Sequence, residues 1–141
     1  MNRADFDSDL GRDGWKERSL PGFFGLVAPL WTRKEEASWA YGFIAQSQHL
    51  NRAGIVHGGM LTTLMDHALS AIAWEDAQRR ACVTTALDMH FIGPVREGMF
   101  VEARGRVIGR TRTLLFLQGV LTVSDGEVAA ASAVMKILEP R

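Results

Sequence analysis

The sequence predicts an α+β domain in which an antiparallel sheet curves around one long helix. Three observations carry that expectation. Two strand-like segments precede a single helical stretch and four follow it. The later strands are joined by tight turns, as antiparallel neighbours are. The helical stretch, from Gly59 on, is apolar almost all the way round. A flat sheet would cover only one stripe of such a helix, so the sheet has to curve, with a second chain as further cover. The 141 residues suit one domain with a single core, and no repeat, linker or low-complexity tract divides them.

Residues 1–20 are polar and are expected to form a loosely held N-terminal arm with a short helix, leaving 21–141 as the domain. Phe23 to Arg33 reads as a strand that Pro29 demotes towards a sheet edge. In "ASWAYGFIA" the large residues Trp39, Tyr41 and Phe43, followed by Ala45, recur with period two, a second strand after the polar "RKEE" turn. After the helix, "CVTTALDMHFI" alternates, with Val83, Thr85, Leu87, Met89 and Phe91 on one face and Thr84, Ala86, Asp88 and His90 on the other. "GPVREG" turns the chain. "MFVEARGRVIG" sets Met99, Val101, Ala103 and Val107 opposite Glu102, Arg104 and Arg106, a strand with one wet face. "TRTLLFLQGVLTV" is a long apolar strand. Ser124-Asp125-Gly126-Glu127 reads as an Asp-Gly hairpin turn into the last strand, "VAAASAVMKIL".

Charge and cysteine content narrow the function. Lys plus Arg equals Asp plus Glu at 16 each, so net charge is zero, and nothing favours nucleic acid or an anionic membrane as partner. A single cysteine, Cys82, forbids an intramolecular disulfide and suits a reducing compartment. The first residues lack the apolar run of a signal peptide, and no segment approaches the roughly 18 apolar residues of a membrane span. A cytoplasmic protein is expected. His49, His57, His67 and His90 show no metal-ligand spacing and no cysteine pair joins them. No Gly-x-Ser-x-Gly nucleophile motif occurs. No metal and no cofactor are called for.

The helix carries Asp66 in its middle. A carboxylate there lowers helix propensity, and burying it unpaired is costly. At helical spacing Gly59, Thr62, Thr63, Asp66 and Ser70 form one narrow polar stripe, as at a lined cavity or a subunit interface. Asp66 is either solvated or bonded to Thr62, Thr63 or Ser70 as a structural cluster, or it is a functional carboxylate that activates water or attacks an acyl carbon. His57-Gly58-Gly59 precedes Met60 where the helix begins. The glycines make a tight turn, or they bring free N–H groups up to an anion or a developing oxyanion. Gly59 and Asp66 lie seven residues apart, about 10 Å along a helix rising ~1.5 Å per residue. Both cannot serve one carbonyl from one straight helix. An active site using both is therefore built across a two-fold interface and occurs twice.

"NRAGIVHGGMLTTLMDHALS" followed by "TTALDMHFIGPV" resembles the hotdog-fold acyl-CoA thioesterases, in particular the phenylacetic-acid-degradation (PaaI-like) branch. The resemblance runs from about Gly22 to the C-terminus. Its elements are an asparagine, a short gap, His-Gly-Gly, an aspartate on the central helix and an Asp-x-x-Phe-x-x-Pro strand. It implies the hotdog fold, with hydrolysis of acyl-CoA thioesters at the interface of a homo-oligomer, and leaves a dimer of dimers open. It further implies that the Gly58 N–H polarises the thioester carbonyl and that Asp66 is nucleophile or general base. Asn51 would place substrate or water, His57 would support the loop, and Thr84, or Thr85 one step on, would supply a hydroxyl near Asp66. Relatives commonly carry an acidic residue two places after that hydroxyl, where this chain has Ala86.

Gly59 completes the helix-terminus binding surface. Arg110 and Arg112, in the turn "GRTRT", are candidates for the phosphates of CoA, as is Arg52, or they are solvated turn residues. His67 is expected to be packed or interfacial rather than catalytic. The rival from another class is a non-catalytic acyl-CoA binding or sensing domain of the same fold, and Asp66 argues against it. A dehydratase on this fold would need a His/Glu arrangement that is not visible.

Overall fold

The computed structural model describes residues 3–140. In chain order the elements are α1 (Arg3–Arg12), β1 (Lys16–Arg18), α2 (Phe23–Val27), β2 (Leu30–Lys34), β3 (Trp39–Ile44), a single 3-10 turn (Ser47–His49), α3 (Gly58–Asp76), β4 (Cys82–Phe91), β5 (Phe100–Arg110), β6 (Leu114–Val123) and β7 (Gly126–Ile137). The seven strands make one antiparallel sheet in the order β1-β2-β3-β5-β6-β7-β4. The connection through α3 carries the chain from β3 to the far edge, where β4 pairs only with β7. The curved sheet with one long central helix is the expected α+β, hotdog architecture.

The helix is seated from one side. Met60, Leu61, Leu64, Met65, Ala68, Leu69, Ile72 and Ala73 are buried, an i, i+4 pattern doubled by one residue that gives a broad apolar face. Thr62, Thr63, Asp66, His67, Ser70 and Ala71 stay half-buried, so the single chain does not enclose the helix all round. Close seating depends on two glycines paired directly across β5 and β6, Gly105 and Gly119. A Cβ on Gly105 would lie 2.5 Å from Leu69 Cδ2 and 2.9 Å from the Gln118 carbonyl. One on Gly119 would lie 2.6 Å from the Met65 sulfur. These missing side chains let α3 approach the backbone of the sheet.

Trp39, Tyr41, Phe43 and Ala45 face the core under α3, as their period of two predicts, with Tyr41 and Phe43 buried. The opposite face of β2 and β3 is also covered. Leu10, Trp15, Trp31 and Ala40 form a second buried cluster, with Phe6, Ile44 and Phe100 packed on it. The expectation of a loosely held arm is therefore corrected. β1 pairs with β2, and α1 with Trp15 closes the back of the sheet.

Three further expectations change. Phe23 to Arg33 is not one strand, because Phe23–Val27 is a short helix and the strand begins at Leu30. The run "FFGLV" lacks alternation, and Phe24 goes inward while Phe23 and Leu26 point out. Ala28, ahead of Pro29, is held extended, which ends the helix. The β6–β7 turn is centred one residue earlier than an Asp-Gly reading gives. Ser124 and Asp125 take positive φ, +47° and +67°, while Gly126 already pairs with Val123. The alternation of β4 is broken by a bulge. Thr84 pairs with Met135 and Ala86 with Val134, leaving Thr85 as an extra residue.

Candidate active site

The segment leading into α3 is held by several tethers. Asn51 Oδ1 accepts from the N–H groups of Ala53 and Ile55, at 2.9 and 3.3 Å, an Asx-type turn. Asn51 N–H donates to the Ile55 carbonyl at 2.8 Å, and Val56 N–H donates to the Val95 carbonyl at 2.8 Å. His49 was not singled out from the sequence, yet it is the hub of this segment. It is 4 % exposed, its Nδ1 accepts from Gln46 N–H at 2.9 Å, and its Nε2 meets the Val27 carbonyl at 2.6 Å. Its carbonyl accepts from His57 N–H at 2.8 Å. A histidine two residues before Asn51 was the only sequence signal, and a lone histidine does not distinguish a buried clamp from a surface residue.

His57 is the N-cap of α3, and its Nδ1 accepts from Gly59 N–H at 2.8 Å. The imidazole proton therefore sits on Nε2. Gly59 N–H is spent on the cap, whereas Gly58 N–H has no hydrogen-bond partner among the described residues. Of the two glycines, only Gly58 presents a free donor at the positive end of the helix dipole. Gly58 also lacks a side chain for a local reason. A Cβ there would lie 3.1 Å from the Phe91 ring, so the end of β4 covers the start of α3.

Farther along the helix, Thr84 Oγ1 donates to Asp66 Oδ1 at 2.6 Å. Thr85 Oγ1 donates instead to the Val134 carbonyl at 2.9 Å. The bulge explains the choice. Leu87 and Met89 face the core, and unbroken alternation would put Thr85 with them and Thr84 on the far side. The extra residue reverses the parity, so Thr84 and Cys82 face α3 as well. Thr62 and Thr63 return their hydroxyls to the carbonyls of Gly58 and Gly59, both at 2.8 Å. Asp66 is therefore not tied into a cluster with them. Its carboxylate holds one hydroxyl and is half-buried on the open side of the helix. Asp66 and Gly58 are eight residues apart on α3, roughly 12 Å at the helical rise, so one chain does not bring them to a single carbonyl.

His67 packs its ring on Phe24, at 5.0 Å between centroids, and edge-on to Tyr41 at 6.0 Å. Burial pushes the imidazole below its usual value, with the Asp66 charge acting the other way. It is a packed residue. Arg110 and Arg112 lie at the other end of α3 from Gly58. Arg110 is engaged with Asp76 at 2.7 Å, and Arg112 is exposed in the turn before β6. Arg52 is exposed beside Asn51. Among the described residues no group of three or more His, Cys, Asp and Glu is placed to hold a metal ion. Among the described residues no helix is long and apolar enough to cross a membrane.

Comparison with known proteins identifies the family and the fold. A family model described as the thioesterase superfamily matches residues 53–130, the stretch that holds His57, Gly58, Asp66 and Thr84. A Pseudomonas aeruginosa protein that bears a provisional esterase name is 30 % identical over 122 residues, 85 % of this chain and 90 % of its own length. Among solved structures, zebrafish thioesterase superfamily member 2 superposes with a TM-score of 0.76 at 19 % identity, covering 98 % of this chain and all of that one. An Asn-to-Asp mutant of the phenylacetic acid degradation protein PaaI from Thermus thermophilus gives 0.65 at 22 %, covering 94 % of this chain and all of its own. Both structural likenesses are at the level of the fold.

Proposed function

For a chain that belongs to the thioesterase superfamily, and so is a thioester hydrolase, we propose that acyl-CoA is the substrate and that two chains share each site. Asp66 acts as nucleophile or general base, with the Thr84 hydroxyl orienting its carboxylate. Gly58 N–H of the partner subunit polarises the thioester carbonyl, and His57 holds that donor by capping the helix. The observation that carries the reading is the Thr84–Asp66 hydrogen bond on the open side of α3, set apart from the free Gly58 N–H.

The edge strand supports the shared site. β4 ends the sheet, and Val83, Phe91 and the adjoining Ile92 are exposed, an apolar edge of the kind that invites a second strand. Thr84, near one end of β4, touches Asp66, and Phe91, at the other end, covers Gly58. If β4 pairs antiparallel with its own copy about a two-fold near Leu87 and Asp88, Thr84 of one chain comes opposite Phe91 of the other. The carboxylate of one chain then approaches the helix N-terminus of its mate. Within this site Asn51 has one remaining group for substrate or water, the Nδ2 amide, since its Oδ1 is spent on the turn. The departing thiolate is a good leaving group and asks for little acid assistance.

Free-thiol release across a panel of alkyl and aryl acyl-CoAs tests the reading and names the acyl class. Asp66→Asn is expected to lower kcat by about 10²–10⁴-fold while the fold persists; near-wild-type turnover would remove Asp66 from the mechanism. Silence of the wild type on the whole panel, with CoA esters still bound, would point to the binding domain instead.

A further inference from the structure

Beyond the reach of α1 and Trp15, the back of the sheet over β5, β6, β7 and β4 carries no covering element among the described residues. Strand register sorts its side chains into rows. Phe116, Val134 and Ala86 are direct neighbours across β6, β7 and β4, and Ile108, the bulge residue of β5, joins them along one groove. Ile108 is 47 % exposed and Phe116 36 %. An apolar row left in water across four strands marks a surface that another molecule covers. The adjoining row reads Arg106, Gln118, Ser132 and Asp88, charged at its two ends and neutral between them.

These two rows select the occupant. Arg106 is exposed and donates to the neutral Gln118 at 3.3 Å. Asp88, on the far border, meets His90 of its own strand at 3.4 Å, with both side chains 73 % exposed. The two charges stand on the first and fourth strands of the patch, about 14 Å apart at the usual strand spacing, too far to pair within one chain. A two-fold contact sets one patch against itself, so it needs a surface complementary to its own rotated image. Turning a second copy over about an axis between β6 and β7, parallel to the strands, provides that image. Its β4 then covers β5 and its β7 covers β6. Arg106 comes opposite Asp88 of the second copy, and Asp88 opposite the second copy's Arg106, which pairs both charges. Phe116 comes opposite Val134, so the apolar row closes on itself. Sheets packed face to face keep their strands within about 30° of each other. At the outer strands that angle is a displacement of about 4 Å, which the long arginine side chain spans.

We propose that the uncovered back of the sheet is an interface with a second copy of this chain, packed sheet to sheet with Arg106 against Asp88 of that copy and Phe116 against its Val134. It depends neither on the acyl-CoA reading nor on pairing along the β4 edge; with that pairing, four chains assemble. Sedimentation velocity of the full chain tests it. Phe116→Asp is expected to halve the assembled mass, from four chains to two where the edge pairing holds and from two to one where it does not. Arg106→Glu and Asp88→Arg are each expected to raise the dissociation constant about tenfold or more by setting like charges face to face. An equal mixture of those two variants is expected to recover the wild-type mass, because every mixed pair again opposes unlike charges at both positions. A monomeric wild type, full mass in Phe116→Asp, or a mixture no tighter than either charge variant alone would overturn the proposal. Should Phe116→Asp fail to fold by circular dichroism, the two exposed charge positions decide.

Discussion

Thr84 and Thr85 are adjacent and chemically identical, yet their hydroxyls have different destinations. Removing each in turn separates the roles. Thr84→Val is expected to lower kcat about tenfold or more, by freeing the Asp66 carboxylate, while Thr85→Val loses only a bond to a strand carbonyl. Equal effects in steady-state kinetics would dissolve the distinction. Asn51 permits a finer test. Asn51→Asp keeps the oxygen that accepts from Ala53 and Ile55 but loses the amide N–H groups, so a fall in turnover at unchanged melting temperature would assign the amide a role beyond the turn. Full activity would leave Asn51 as a turn residue. At Glu35 the issue is stability. Hydrogen bonds from Arg104 first, opposed by burial and aided by Arg33, hold its carboxyl at about 2 instead of the ordinary 4.5. The folded state prefers the ionised form, so this stabilisation is complete above pH 4.5 and is lost as pH falls through 2. Glu35→Gln is expected to flatten the urea midpoint across that window; an unchanged pH profile would show that the pairs with Arg33 and Arg104 carry no net stability.

Among the elements, the β6–β7 turn and the paired glycines under α3 give opposite predictions. Asp125 sits at positive φ with a Cβ to accommodate, so Asp125→Gly should stabilise by a few tenths to about 1 kcal/mol, read as a raised denaturation midpoint. Gly105→Ala should destabilise by about 1–3 kcal/mol, since the new carbon meets both Leu69 and a backbone oxygen. The sequence made the strands legible because Trp39, Tyr41 and Phe43, or Val101 and Ala103, announce a buried face by period alone. It made the helix and its aspartate legible because one carboxylate interrupts an apolar run. What it hid depends on partners distant in sequence. Nothing near Thr85 announces a bulge that is defined by Met135 and Val134. Nothing near His49 shows that Val27 supplies a carbonyl to its ring. "FFGLV" is apolar enough for either a strand or a helical turn, and only the burial of Phe24 alone chooses between them.

Across the whole molecule, the two faces of the sheet are covered unequally. α3 lies on one face along much of its width, but the back is closed by α1 and Trp15 only over β2, β3 and the start of β5, leaving β4 with a free edge. Amide hydrogen exchange at the outer edge of β4 should therefore be fast in a dissociated chain and slow once two copies pair along it, while β3 and β5 stay protected in both; equal protection of that edge in both states would contradict the pairing. The same asymmetry bears on the proposed shared site. Mixing Asp66→Asn with Gly58→Pro chains, a proline being tolerated at the first helical position, should recover activity through one intact site per mixed dimer. No recovery from verified mixed dimers, with each variant folded, would place the site within one chain. Mechanically the sheet is a plate clamped along one border and compliant along the other. The carboxylate rides on the helix, seated over the stiff middle, while its hydroxyl partner rides on the compliant border. If two copies pair along β4 as proposed, the length of that one hydrogen bond would work as a strain gauge for assembly. A second copy gripping the loose border would fix it, and dilution would slacken it before any strand melts.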